Sequence, residues 1–178
     1  AIRTRADASS IRLTLNGDIQ ARLEGLAAET AGRLGPRQSL AMVLADGRTG
    51  EVLASIGSTG HLDANRAGAI DMTQAVRSPG STLKPFIYGL AFEDALIAPE
   101  TLIDDTPADF SGYRPRNFDR GYMGEVSIRE ALQFSLNVPA VRLLEAVGPQ
   151  RLLARLRRGG TTLDLPPGGA PGLAIGLG

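Results

Sequence analysis

Cysteine and tryptophan are absent from the 178 residues, and lysine and histidine occur once each. Without cysteine there is no disulfide, no thiolate nucleophile and no thiolate-bound metal, and the redox compartment is left open. A single histidine, His61, builds neither a histidine-rich zinc site nor a histidine-based triad, and is expected in a surface loop. No cysteine- or histidine-built metal site is therefore expected, and the reading assigns no metal and no cofactor. Neither sign of charge prevails, with 19 Lys+Arg against 19 Asp+Glu, so the basic excess of a general nucleic-acid binder is missing. No apolar run approaches the roughly 18 residues of a membrane span. No basic-then-apolar signal segment follows Ala1.

What is present is a folding composition, with 43% apolar residues and a length suited to about one domain. Ala1 to Asn16 reads as a leader plus a short extended piece, with Ile11, Leu13 and Leu15 alternating. Asp18 opens a helix with Ile19, Leu23, Leu26 and Ala27 at helical spacing, ending at Gly35-Pro36. A β-hairpin is expected with arms at Leu40 to Leu44 and Val52 to Ile56, joined by Asp46-Gly47-Arg48-Thr49-Gly50. The unbroken apolar first arm predicts a strand covered on both faces.

Ser58 to Pro79 reads as polar and irregular, and a helix follows from about Gly80-Ser81, with Pro85 tolerated in its first turn. A long loop from about Pro99 to Glu125 gathers Phe110, Tyr113, Phe118 and Tyr122, which reads first as packing for a long connection. Ser127 and Glu130 make a capping box ahead of a helix through Phe134. Pro139 restarts a helix through Val147, and Pro149 opens another to about Arg158, closed by Gly159-Gly160. Arg155, Arg157 and Arg158 there complement the helix dipole. The tail from Leu165 is rich in Gly and Pro and carries no phosphate-binding signature. There is no internal repeat.

The basic residues are uneven: eighteen arginines and the lone Lys84. Arginine stays protonated, whereas a desolvated lysine can give up its proton. Ser81 stands three residues before Lys84 at a helix start, which places both on one face. A neutral amine there can take the serine's proton, and the helix N-terminus favours a developing oxyanion near the Ser81 amide. Gly80 leaves room for a substrate. Ser135-Leu136-Asn137 supplies a second hydroxyl and a carboxamide at a helix junction. The plainer readings are a solvated surface lysine for Lys84 and helix caps for Ser135 and Asn137.

Arg77-Ser78-Pro79-Gly80-Ser81-Thr82-Leu83-Lys84-Pro85-Phe86-Ile87-Tyr88 resembles the active-site segment of the class A penicillin-binding proteins. Ala131 to Ala140, around Ser135-Leu136-Asn137, is similar to that family's second motif. Leu13 to Gln20 resembles the start of the family's transpeptidase domain, and Asp46 to Ala54 its sheet hairpin. The Asn117-Phe118-Asp119 loop looks most like the penicillin-binding protein 1C branch.

The resemblance implies an α+β, penicillin-binding fold and a D,D-transpeptidase that cross-links peptidoglycan. It implies Ser81 as nucleophile, Lys84 as its base, Ser135 as proton relay and Asn137 as a hydrogen-bond partner of the substrate backbone, beside the room that Gly80 leaves. Stem peptides and β-lactams would be the partners, and the periplasmic face of the inner membrane the location. The family's third motif, Lys-Thr-Gly, is absent, since Lys84 is the only lysine and Arg48-Thr49-Gly50 lies before the serine. The expectation is therefore a partial domain spanning 1–178, with the third motif beyond it and a membrane anchor and glycosyltransferase domain before it. A β-lactamase or carboxypeptidase on the same scaffold and a non-catalytic peptidoglycan or β-lactam sensor are the rivals.

Overall fold

A computed structural model describes residues 11–165, Gly169 and 171–178. Two units divide the chain between Arg77 and Ser78. In the first, α1 spans Gly17–Leu34. Asn16 caps it, its side chain accepting from the Asp18 and Ile19 amides, both at 3.1 Å. Ile19, Leu23, Ala27 and Ala31 form the covered stripe, and Leu26, which the spacing also placed there, is exposed. β1 (Met42–Ala45) and β2 (Val52–Ile56) pair antiparallel, with Val43 opposite Ser55 and a register shift between Leu44 and Ala45. Asp46 closes the turn by accepting from the Arg48 and Thr49 amides, and these bonds, Thr49's first, hold its carboxyl below the usual range.

β2 packs on α1 and its outer edge is occupied. Ser55 exchanges hydrogen bonds of 2.9 and 3.2 Å with the Gln20 carboxamide, the Asn16 amide donates to the Leu53 carbonyl, and Thr14 Oγ1 donates to the Val52 carbonyl. The piece around Leu13 and Leu15 thus runs beside β2 without forming a strand. β1 differs from expectation. It is not covered on both faces: Val43 is 56% exposed, and no described strand pairs with its other edge. A short apolar run reads the same whether its second face is covered or bare. The segment after β2 is irregular apart from a 3-10 turn at Ala64–Arg66. Arg66 donates to the Ala31 and Gln38 carbonyls, satisfying an otherwise unpaired carbonyl in the last turn of α1.

The second unit carries the main core. A 3-10 turn at Gly80–Leu83 runs into α2 (Lys84–Glu93), with Pro85 in the first turn as expected. β3 (Leu102–Asp105) and β4 (Gly124–Ser127) pair antiparallel, Ile103 opposite Val126 and Asp105 opposite Gly124. This second small sheet corrects the expectation of one loop from Pro99 to Glu125. Leu102-Ile103-Asp104-Asp105 ends on carboxylates, which are depleted in strands, so nothing local marks it as one. Ser127 then caps α3 (Ile128–Gln133) with the expected capping box. α4 spans Asn137–Val147 and α5 Pro149–Arg158, and a 3-10 turn covers Leu173–Leu177. Part of the Gly/Pro-rich tail lies outside the described residues.

Ile87, Leu90 and Ala91 of α2, Leu143, Leu144 and Val147 of α4, Leu152 and Leu156 of α5, and Ile128 and Ala131 of α3 make one core. At its rim Glu93 and Asp94 are ion-paired with Arg155 and Arg151, which gives Arg155 a partner beyond the helix dipole. This core fixes the start of α2 against the α3–α4 junction.

Candidate active site

The α3–α4 junction is built on a Schellman turn. The Leu136 amide donates to the Ala131 carbonyl at 2.9 Å and the Ser135 amide to the Leu132 carbonyl at 3.1 Å. Glycine usually holds the left-handed position of this turn; here it is Ser135, with φ of 54°. α4 starts at Asn137, two residues before Pro139, and its N-cap, Leu136, makes no side-chain cap bond. Neither Ser135 nor Asn137 acts as the helix cap that the plainer reading allowed.

Lys84, the first residue of α2, points into this junction and is 1% exposed. Its Nζ donates to the Ser135 carbonyl, to Ser135 Oγ at 3.0 Å and to Asn137 Oδ1 at 2.6 Å. Burial lowers its pKa from 10.5 to about 8, because removing water penalises the charged amine. The solvated-lysine reading is thereby excluded. Asn137 is oriented from its other end, with Nδ2 donating to the Arg116 carbonyl at 2.6 Å, so its Oδ1 faces the amine.

Ser81 sits in the 3-10 turn and is exposed, and its hydroxyl is not among the partners of Lys84. It lines a cavity of about 620 Å³ together with Ser135 and Asn137, walled by Phe118, Tyr122, Met123 and Phe134. Two of the loop aromatics therefore face the cavity, whereas Phe110 is buried beneath Arg142, whose guanidinium lies 5.8 Å from its ring centre. Gly80 does not line the cavity, and a Cβ on it would meet nothing within 4 Å; its φ of 54° is what calls for glycine.

Two members were not foreseen from the residues. Asp105, at the end of β3, is fully buried, and Asn117 is buried beside it. Asn117 Nδ2 lies 2.9 and 2.8 Å from the two Asp105 oxygens, and its Oδ1 accepts from the Asn137 amide at 2.7 Å. Asp105 carries no sequence signal, and Asn117 stood out only through the resemblance of its loop.

Chemically, the junction holds an amine between two carbonyl-type acceptors and a hydroxyl. In its neutral form that amine donates two hydrogens and offers its lone pair to a hydroxyl proton. Among the described residues no group of three or more His, Asp or Glu is placed to hold a metal, and no helix is long and apolar enough to cross a membrane.

The profile of the penicillin binding protein transpeptidase domain matches residues 40–165. Penicillin-binding protein 1C of Escherichia coli (strain K12) is 48% identical over 174 residues, 98% of this chain and 23% of that protein. Penicillin-binding protein 1F of Bacillus subtilis (strain 168) is 34% identical over 76% of this chain and 18% of its own length. The chain thus spans less than a quarter of these curated relatives. The PonA1 protein of Mycobacterium tuberculosis in complex with penicillin V superposes with a TM-score of 0.72 at 26% identity, over 95% of this chain and 46% of that one. The fold is that of the penicillin-binding proteins, as the α+β reading expected.

Proposed function

The chain belongs to the penicillin-binding protein transpeptidase domain family, and on that premise we propose that it forms the acyl-serine part of a peptidoglycan D,D-transpeptidase. The observation that carries this reading is the convergence of Lys84 Nζ, Ser135 Oγ and Asn137 Oδ1 at a cavity that Ser81 also lines. Ser81 Oγ attacks the carbonyl between the last two D-alanines of a stem peptide and an ester forms. Lys84, as the neutral amine, takes the Ser81 proton. Ser135 passes a proton to the nitrogen that leaves as D-alanine. An amine of a neighbouring stem then attacks the ester, an amide forms, and Ser81 regains its proton. Asn137 holds the substrate backbone, and Gly80 sets the turn that presents Ser81. In β-lactams the leaving nitrogen stays tethered to the acyl group, and the adduct persists.

In this reading the domain works within a longer protein, as the share of the relatives it spans supports, and that protein lies at the periplasmic face of the inner membrane. The substrate-carboxylate contacts of the third motif come from residues outside this sequence.

The test is intact mass after incubation with a penicillin, for the chain and for the full-length protein that carries it. One adduct on Ser81, absent from Ser81→Ala and much slower in Lys84→Ala, is expected. Absence of an adduct in both forms sinks the reading. Rapid release of hydrolysed penicillin points instead to a β-lactamase or carboxypeptidase.

A further inference from the structure

Asp105 is fully buried, and among the described residues it takes part in no ion pair. Its oxygens accept from Asn117 Nδ2 and, at 2.9 Å, from the Met123 amide. A buried carboxylate without a cation is a costly way to hold a loop, since a neutral acceptor would do so with less desolvation. What a carboxylate adds is that it only accepts. It therefore dictates which end of the Asn117 carboxamide faces it, and Nδ2 also reaches the Gly121 carbonyl at 2.9 Å. The Oδ1 end is left for the Asn137 amide, one of the amides at the start of α4 that lack a partner within the helix. Asn137 in turn reaches Lys84 through its own Oδ1. The chain of contacts joins four separate segments: the end of β3, the loop before β4, the start of α4 and the start of α2. Its titratable members are Lys84 and Asp105, with Tyr88 beside Asp105. Among the described residues the Tyr88 hydroxyl is buried without a partner, and burial first, then the Asp105 charge, pushes its pKa up.

We propose that Asp105 and Asn117 are positioning residues for the acyl transfer: the Asp105 carboxylate orients the Asn117 carboxamide, which holds the start of α4 so that the Asn137 side chain stays on Lys84. The inference deepens the transpeptidase reading and rests on it for its catalytic meaning, but the geometry it asserts is read out at Lys84 without any acylation.

Because Lys84 is the only lysine, lysine labelled with ¹³C at Cε gives one side-chain signal from this chain, whose titration reports the site directly. Asn117→Ala, folded by its cooperative melt, is expected to slow acylation by penicillin by about tenfold or more. Its Lys84 signal should titrate at a higher pH than in the wild type, because a loosened junction admits water to the amine. Asp105→Asn puts an amide group against the same donors, so it should move both readouts in the same direction; it decides the matter if Asn117→Ala does not fold. Asp104→Asn, on the exposed side of the same strand, should move neither. An unmoved Lys84 titration in the folded variant overturns the proposal whatever the rate. A wild type inert to penicillin, including the full-length protein, sinks the transpeptidase reading, and the Lys84 titration still decides whether Asn117 positions the amine.

Discussion

Lys84 reaches Ser135 twice, at the backbone carbonyl and at the hydroxyl. The carbonyl is within reach because Ser135 holds the left-handed position of the turn after α3. The geometry of a helix end and the chemistry of the amine are thus set by one residue.

That double contact predicts a trade between stability and rate. Ser135→Gly removes the left-handed penalty, about 1–2 kcal/mol for a residue with a Cβ, and should raise the melting temperature. It also removes the hydroxyl, so acylation by penicillin should slow. Ser135→Ala keeps the backbone penalty and should slow acylation without the gain in stability. Paired thermal melts and adduct kinetics check both.

Lys84→Arg tests whether the amine must release a proton. Arginine keeps the positive charge and several donors but cannot be deprotonated. The expected loss in acylation rate is about 10²-fold or more, the range of general-base catalysis. In the wild type the rate should rise with pH through about 8, where burial has placed the Lys84 pKa. A flat profile across that range would show that neutral Lys84 is not required.

The same burial gives stability a pH profile. Between about 8 and 10.5 the unfolded chain holds the Lys84 proton and the folded chain has lost it, so stability should rise with pH, by up to ~3 kcal/mol over the whole window. Tyr88 acts in the opposite sense. Its folded pKa lies above the ordinary 10.0, so beyond that pH the unfolded state loses a proton the folded state keeps, and stability should fall. Denaturant unfolding from pH 7 to 11 should show a rise and then a decline. Lys84→Met should abolish the rise and Tyr88→Phe should weaken the decline.

Gly178 lies against the turn that carries Ser81. A Cβ on it would fall 2.2 Å from the Gly80 nitrogen and 2.6 Å from the Ser78 hydroxyl oxygen, and its φ is 88°. Gly178→Ala should cost about 1–3 kcal/mol and displace Ser81, lowering the acylation rate more than the same loss of stability produced by Leu152→Ala in the core. Melts and adduct kinetics on the two variants make the comparison.

The helices were legible because their signals are local. Ser127 with Glu130 marked one start, Pro149 another, and Gly159-Gly160 a stop. The hairpin of β1 and β2 was legible through its glycine-bearing turn, but the exposure of Val43 was not, because apolar sequence does not say what lies across from it. Ser81, Lys84, Ser135 and Asn137 were singled out by residue type, spacing and resemblance. Asp105 was not: a carboxylate at a strand end reads as a solvated turn, and only folding brings Asn117 to it. The early start of α4 was missed for a related reason. Pro139 was read as the first turn's opening residue, yet the helix tolerates it at the third position, where its missing N–H still leaves no intrahelical bond unmade.

All six ion pairs among the described residues use arginine, and the one side-chain amine is enclosed. Active esters, glutaraldehyde and reducing sugars therefore find no exposed lysine among these residues. These residues should resist glycation and amine coupling alike. Amine-directed tethering would therefore place no attachment point from these residues at the cavity beside Ser81.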